Sequence, residues 1–423
     1  ADALAAGPCG GRAVYLKCLA ALALRADVRP IGPVPTFLSG PRTLLRRIAM
    51  LRVTDDTPTR RRWPAAVAVA FLAAAALGLH GTTPEALADP VVPAKFAEKK
   101  DRAPLDASYV LLADHPDAAG VYAIRLGELL RTPGMEKIAE QYAAAMKSGI
   151  GDREVHFKLT DIDQISGLVN LNHDPKQPPP NRALTMSLTS IRMTNDFNWE
   201  KQLKAWCTDW KEYAYAGGTY YSGKMSLPVL GPADQTVWFY LPDGRSVVIE
   251  SQENIRKLID AKAKPLPAPA WAGDWKDVER GTLALVFPDV KGTVAKKLLT
   301  EKLESDLAES MRKPLMTVCA KAARAAVGVD LDKGCSVRIR FACASATDAA
   351  DVDAGCQTIV KLAKAALKES DEPTDPLDKA GQRLSDCLIR GIEFGKTVDH
   401  VVELRMSAPD GLTDLLKALS TGK

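Results

Sequence analysis

The chain has 423 residues, 46% of them hydrophobic and 26% charged, enough apolar material for real cores in two to three domains. A formal charge of +4 is too small to mark a nucleic-acid binder. The basic excess is local: Arg42, Arg46, Arg47, Arg52, Arg60, Arg61 and Arg62 crowd one stretch, against Asp55 and Asp56.

The first segment opens on Ala1 rather than Met, which reads as a processed product or part of a longer frame. Gly11–Leu24 is rich in alanine and leucine at helical spacing, and a Pro/Gly-rich loop follows from Arg29 to Pro41. A second helix is predicted over Arg42–Arg52, with Leu44, Leu45, Ile48 and Leu51 on one face. Arg60–Arg62 then abut the uncharged run WPAAVAVAFLAAAALGL, Trp63 to Leu79. Its 17 residues meet the lower limit for a membrane-spanning helix. Arginines before it hold that end in the cytoplasm, so everything after it is exported. The same stretch also reads as a signal peptide beginning at Met50, with Ala86-Leu87-Ala88 as the cleavage site before Asp89.

The order of elements before the apolar run resembles the tail of the membrane-embedded zinc metallopeptidases of the BlaR/MecR antirepressor type. Ala1-Asp2 matches the Ala-Asp pair that follows the family's glutamate ligand, and Tyr15–Ala23 matches the next helix. Phe37, Gly40, Leu44, Arg46, Arg47, Ile48 and Leu51 match the loop and its L-x-R-R-I segment. The resemblance covers about 80 residues and implies a last transmembrane helix leading to an exported sensor region. The H-E-x-x-H motif, which presents two zinc-binding histidines on one helix face with a glutamate as general base, is missing. The histidines are His80, His115, His156, His173 and His400, and none forms it. The resemblance therefore implies that zinc belongs to an upstream part, that Asp2 is a remnant standing behind the ligands, and that this chain alone is proteolytically inert.

A linker is predicted from Gly81 to about Pro104. Beyond it, strands are predicted over Ser108–Ala113, Gly120–Leu126 and Ala183–Met193, and helices over Pro133–Ser148 and Trp199–Tyr213. Asn172–Asn181 (NHDPKQPPPN) reads as a loop or a local boundary. Thr219–Met225, Thr236–Leu241 and Ser246–Ser251 read as strands, the last two joined by a Pro242-Asp243-Gly244 turn, and Gln252–Ala263 reads as a helix. After a second linker, Lys264–Pro269, come a strand at Thr282–Phe287, helices within Val294–Ala326 with a break near Pro314, and a strand at Ser336–Ala344. A long helix follows over Thr347–Lys368, capped by Thr347, then a helix at Asp378–Leu388, a strand at Val398–Met406 and a helix at Leu412–Leu419. In general character the region also resembles the exported domains of planctomycete-type membrane proteins, a likeness that brings no site residues.

Candidate chemistry is sparse. Gly391–Thr397 (GIEFGKT) is one residue short of a phosphate-binding loop and reads as a turn before a strand. Asp330-Leu331-Asp332-Lys333-Gly334 offers too few oxygens for calcium and reads as a solvated turn. Trp199, Trp206 and Trp210 share one face of the predicted helix and read first as core, with a sugar or aromatic pocket as the sharper reading. No serine, cysteine or carboxylate set stands out as nucleophilic. Cys319, Cys335, Cys343, Cys356 and Cys387 are candidate disulfide partners in an oxidising compartment, although Cys335 and Cys343 lie too far apart along one strand to bridge each other.

The sequence thus predicts an α+β protein: a helical stub (1–62), a transmembrane helix (63–80), a linker (81–104) and an exported region of mixed or antiparallel sheets with flanking helices. Two similar modules (105–263 and 270–423) make up the exported region. The expected role is a membrane-anchored sensor or regulator, the C-terminal part of a BlaR/MecR-like metallopeptidase that binds an extracytoplasmic ligand or protein. No cofactor in this chain and no nucleic-acid partner are expected. The alternative is a secreted, non-enzymatic binding protein that starts at Met50 and is cleaved after Ala88.

Overall fold

The computed structural model describes residues 102–132, 155–170, 185–225, 235–295, 309–331, 335–368, 386–395 and 397–408, with positions 135, 140 and 384 between them. All lie in the second of two units into which the chain divides, Pro64–Lys423. The stub, the Trp63–Leu79 run, Met50, the Ala88 cleavage site and the Leu412–Leu419 helix lie outside the described residues. Among the described residues no helix is long and apolar enough to cross a membrane.

Among the described residues twelve strands form one sheet, each paired antiparallel to its neighbours. They are β1 Ala118–Ile124, β2 Ile162–Asn170, β3 Thr185–Met193, β4 Cys207–Tyr215, β5 Gly218–Met225, β6 Gln235–Tyr240, β7 Ser246–Glu250, β8 Leu283–Phe287, β9 Ala322–Asp330, β10 Cys335–Cys343, β11 Glu393–Phe394 and β12 Val401–Ala408. Their spatial order is β11-β12-β10-β9-β8-β1-β2-β3-β7-β6-β5-β4. The expected α+β class holds, and the sheet is antiparallel rather than mixed. Both predicted modules contribute to it: β1 pairs with β8 through Val121↔Val286, Tyr122↔Leu285, Ala123↔Ala284 and Ile124↔Leu283. The helices are α1 Leu126–Arg131, α2 Trp199–Trp206, α3 Gln252–Ala263, α4 Ala272–Lys276, α5 Glu309–Lys321 and α6 Ala346–Lys368. Among the described residues, and leaving aside the π-helical turn Val290–Val294, the order β1-α1-β2-β3-α2 is matched by β8-α5-β9-β10-α6, with β1 and β8 side by side.

Local chemistry accounts for most of these elements. Ala216 and Gly217 both take positive φ, 48° and 76°, the backbone that a two-residue hairpin between β4 and β5 requires. Asp243 turns β6 into β7 by accepting the backbone N–H groups of Arg245 (2.8 Å) and Ser246 (2.7 Å). Asn198 caps α2 and Ser251 caps α3. Ser345, not Thr347, caps α6: its Oγ accepts from the Asp348 N–H at 3.1 Å.

Four sequence expectations fail. Ser108–Ala113 is not a strand but an irregular segment ending in a 3-10 turn, Leu112–Asp114. The helix expected over Trp199–Tyr213 stops at Trp206, and Cys207–Tyr215 is a strand, because that segment pairs with β5 on either side of a register shift between Thr208 and Lys211. Ala322–Ala326, expected as the end of a helical region, belongs to β9, held between β8 and β10. Pro314 does not break the chain there but lies inside α5.

Each sheet face buries its own cores. On one face α5 and α6 cover β8–β10 and β12, burying Leu285, Val327, Ile339 and Leu404, while α2 packs Trp199, Leu203 and Trp206 over Phe239 and Val247. On the other face Leu105, Ala107 and Val110 join Trp271 and Trp275 over Val121, Ala123, Ala284 and Val286. Alongside, α3 sets Ile255, Leu258 and Ile259 on Tyr220, Tyr240 and Val248. Residues 102–117 therefore form a strap across this second face. Leu105 N–H bonds Glu279 O at 2.7 Å, Trp275 Nε1 donates to Leu105 O at 3.0 Å, and the backbone of Asp106 exchanges two hydrogen bonds with buried Gln164.

Candidate functional site

Of the sequence-predicted site residues, Asp2 lies outside the described residues. Cys319, Cys335 and Cys356 are buried in the core under α5 and α6, and Cys343 and Cys387 pack against that same core. Cys319, Cys335, Cys343 and Cys356 are free thiols rather than the disulfide partners expected. Burial pushes Cys319 up to about 11 and Cys335 and Cys356 up to about 12, so all three are protonated at neutral pH. In the GIEFGKT segment, Glu393–Phe394 pairs with β12 and the Gly395 N–H bonds Glu403 O at 2.8 Å, the geometry of an edge strand and turn. Asp330 ends β9, where its carboxylate meets Arg102 (3.3 Å) and the Thr282 hydroxyl (3.4 Å). Trp199 and Trp206 are core residues at 2% and 4% exposure, and Trp210 sits on β4 stacked on Tyr221, so the three do not line a pocket.

A different constellation stands on the strap face, at the β4 end of the sheet. Alternate residues of three neighbouring strands point the same way: Tyr213 and Tyr215 on β4, Tyr220 and Ser222 on β5, Trp238 and Tyr240 on β6. Tyr213 stacks on Tyr220 (centroids 5.2 Å, planes 15° apart), and Trp238 leans on both at 5.2 and 5.9 Å. Tyr220 is buried; Tyr213 and Trp238 are partly exposed.

The first two turns of α3 border this aromatic row. The Tyr220 hydroxyl accepts from Gln252 Nε2 at 2.8 Å and Arg256 Nη2 at 3.0 Å. Burial pushes the Tyr220 phenol up, but the hydrogen bonds from Gln252 and Arg256 together with the Arg256 charge outweigh it, leaving the phenol below the ordinary tyrosine value. The Arg256 guanidinium lies over the Tyr215 ring, 5.1 Å from its centroid, and the Tyr215 hydroxyl donates to Asp260 at 3.0 Å.

Directly across the ladder from Trp238 is Glu250, whose side chain is 4% exposed. Its carboxylate accepts from Thr189 Oγ1 (3.4 Å), Asn254 Nδ2 (3.1 Å) and the Ser251 N–H (3.2 Å), and His115 Nε2 sits 3.1 Å away. Four partners around one buried carboxylate meet the usual requirement for burying such a group. His115 belongs to the strap, so this cluster also fastens the strap beside the aromatic row, helped by the exposed pair Lys257–Asp114 at 2.8 Å.

Chemically the row offers ring faces, the remaining N–H groups of exposed Arg256, the side-chain carbonyl of Gln252 and the exposed Lys211 on β4. Among the described residues no group of three or more His, Cys, Asp and Glu side chains is placed to hold a metal ion. The available sequence signal was the richness of β4, β5 and β6 in Tyr and Trp, with Tyr213/Tyr215 and Trp238/Tyr240 two residues apart, but it needs the three strands to be aligned first. Comparison of the chain with protein-family models, with curated proteins and with solved structures returned no match.

Proposed function

We propose that this chain is a membrane-anchored, extracytoplasmic binding or sensor protein, the C-terminal part of a BlaR/MecR-like metallopeptidase. The observation that carries the binding half of this reading is the partly exposed Tyr213–Trp238 row bordered by Gln252 and Arg256. Rigid aromatic faces with a few convergent polar groups are the usual make-up of a recognition surface. The anchoring half rests on the Arg60–Arg62 cluster before the Trp63–Leu79 run, and on the helix–loop–L-x-R-R-I order upstream. The recurrence of strand–helix–strand–strand–helix on either side of the β1–β8 joint favours a duplicated α+β module as the body of the exported region. In this reading a ligand on the aromatic row acts on the strap, whose other end leads back toward the apolar run.

N-terminal sequencing of the protein recovered from membranes tests the reading. An uncleaved chain retained through alkaline extraction supports the anchor. A soluble product beginning at Asp89 supports instead the secreted binding protein with a signal peptide starting at Met50.

A further inference from the structure

The ligand class follows from the chemistry of the aromatic row. We propose that Trp238 and Tyr213 form a stacking platform for the rings of a neutral oligosaccharide, with Gln252, Arg256 and Lys211 addressing its hydroxyls. The inference deepens the binding reading above and is independent of whether the chain is anchored.

Three observations carry it. The rings pack on one another: Tyr213 is stacked on buried Tyr220, Trp238 leans on both, and the Tyr220 hydroxyl is bonded by Gln252 and Arg256. A sugar presents a flat C–H face, which gains apolar and dispersion contact on such a surface at little conformational cost, because the platform is already ordered. The border then supplies both kinds of partner that a ring of hydroxyls needs. Gln252 uses its amide N–H₂ on Tyr220 and leaves its carbonyl to accept, while Arg256 spends one terminal nitrogen on Tyr220 and keeps others to donate. Finally, few cations stand at the platform. Glu250 is buried among its four partners and Lys224 pairs with Asp209 at 2.8 Å, which leaves Arg256, lying on the Tyr215 ring, and exposed Lys211 as the donors to hydroxyls. A polyanion such as a nucleic acid would call for a longer row of cations than these two; a neutral polyol does not.

The test is a titration of the purified full chain with cellotetraose, maltotetraose and chitotetraose, read by tryptophan fluorescence and calorimetry. Saturable binding of at least one, with a dissociation constant in the range of about 0.1 to 10 mM, is expected. Affinity should change little between low and high salt, since no ion pair forms. Trp238→Ala should weaken binding at least tenfold, Trp238→Phe should keep most of it, and Gln252→Ala should fall between them. Circular dichroism and thermal melting establish that each variant is folded, and Trp238→Phe keeps the test valid if the alanine variant is not. Absence of binding by all three glycans at about 10 mM overturns the proposal. So does binding that survives Trp238→Ala in a folded protein, or salt-sensitive binding of a nucleotide in place of a glycan. Those outcomes leave the anchored-sensor reading standing, because that reading is decided by fractionation.

Discussion

Replacing Gly120 by alanine tests the joint between the two halves of the sheet. In an ordinary strand the change stabilises by about 0.5–1 kcal/mol, because glycine loses more freedom on folding. Here the sign reverses. Gly120 lies in β1, and a Cβ built on it would sit 2.6 Å from the Val286 carbonyl oxygen and 2.9 Å from Phe287 Cδ1, both on β8. The carbonyl is backbone, and β8 is pinned on its far side by the β9 ladder, so it cannot yield without disturbing five paired positions. Overpacking of this kind costs roughly 1–3 kcal/mol, more than the ordinary gain, and a net loss of about 2 kcal/mol is expected. Urea denaturation followed by far-UV circular dichroism reads it as a lower midpoint with an unchanged slope. Gly273→Ala is the control: a Cβ there meets nothing within 4 Å, on helix α4, so that variant should be neutral or more stable by up to about 1 kcal/mol. If Gly120→Ala is as stable as Gly273→Ala, the described β1–β8 pairing is wrong.

Further outcomes follow from buried polar and thiol groups. The Arg125 guanidinium, 6% exposed, donates to the carbonyls of Ala103, Gly281 and Glu279, and burial pulls it down to about 10; Arg125→Met takes this donor from the Ala103 and Gly281 carbonyls and should cost about 2–3 kcal/mol in urea, whereas a loss below about 0.5 kcal/mol would refute these bonds. Burial, with Asp106, Asp243 and Tyr240, pushes Tyr109 on the strap up to about 12; a phenol with a raised folded value releases its proton earlier in the unfolded chain, so its contribution is complete below pH 10 and lost as pH rises toward 12. Tyr109→Phe should therefore flatten the fall of stability between about pH 10 and 12, and an unchanged slope would contradict the burial of that ring. In the reduced protein at pH 8, Cys319, Cys335 and Cys356 should resist alkylation until denaturant is added; peptide mapping that finds them modified as fast in the native protein as in the unfolded one would rule out their place in the core. Phe239, at 0% exposure under α2, should cost about 3–5 kcal/mol on truncation to alanine, measured by the same unfolding titration.

The elements that the sequence announced are those whose signals are local. Strands β5, β6 and β7 and helix α3 emerge within a residue or two of their expected bounds, because aromatic alternation, the Pro242-Asp243-Gly244 turn and the Ser251 cap all act over short spans. Strands β2 and β9 were hidden for different reasons. β2 (IDQISGLVN) lies between β1 and β3, and its alternation is interrupted by a register shift at Ser166/Gly167 and by the buried polar side chains Gln164 and Ser166. β9 (AARAAVGVD) reads as helix because alanine favours helix, yet its small side chains are what the space under Phe341 and Leu285 and against Val278 admits. Tertiary packing overrides propensity there. Trp210 shows the same error, since its spacing of four from Trp206 looked helical while its strand pairs with β5. The β1–β8 pairing joins residues as far apart in sequence as Val121 and Val286, and no local pattern encodes it. The aromatic row was illegible for the same reason: Tyr213, Tyr220 and Trp238 become neighbours only once β4, β5 and β6 are in register.

The central claim is that the sheet is displayed outside the cytoplasm on a membrane-attached chain. The most direct measurement fuses alkaline phosphatase, which becomes active only where its disulfides can form, after Lys423 of the full chain, and assays washed membranes against the soluble fraction. High phosphatase activity confined to the membranes is expected. Inactive phosphatase on an abundantly made fusion would contradict export, and active phosphatase wholly in the soluble fraction would contradict the anchor.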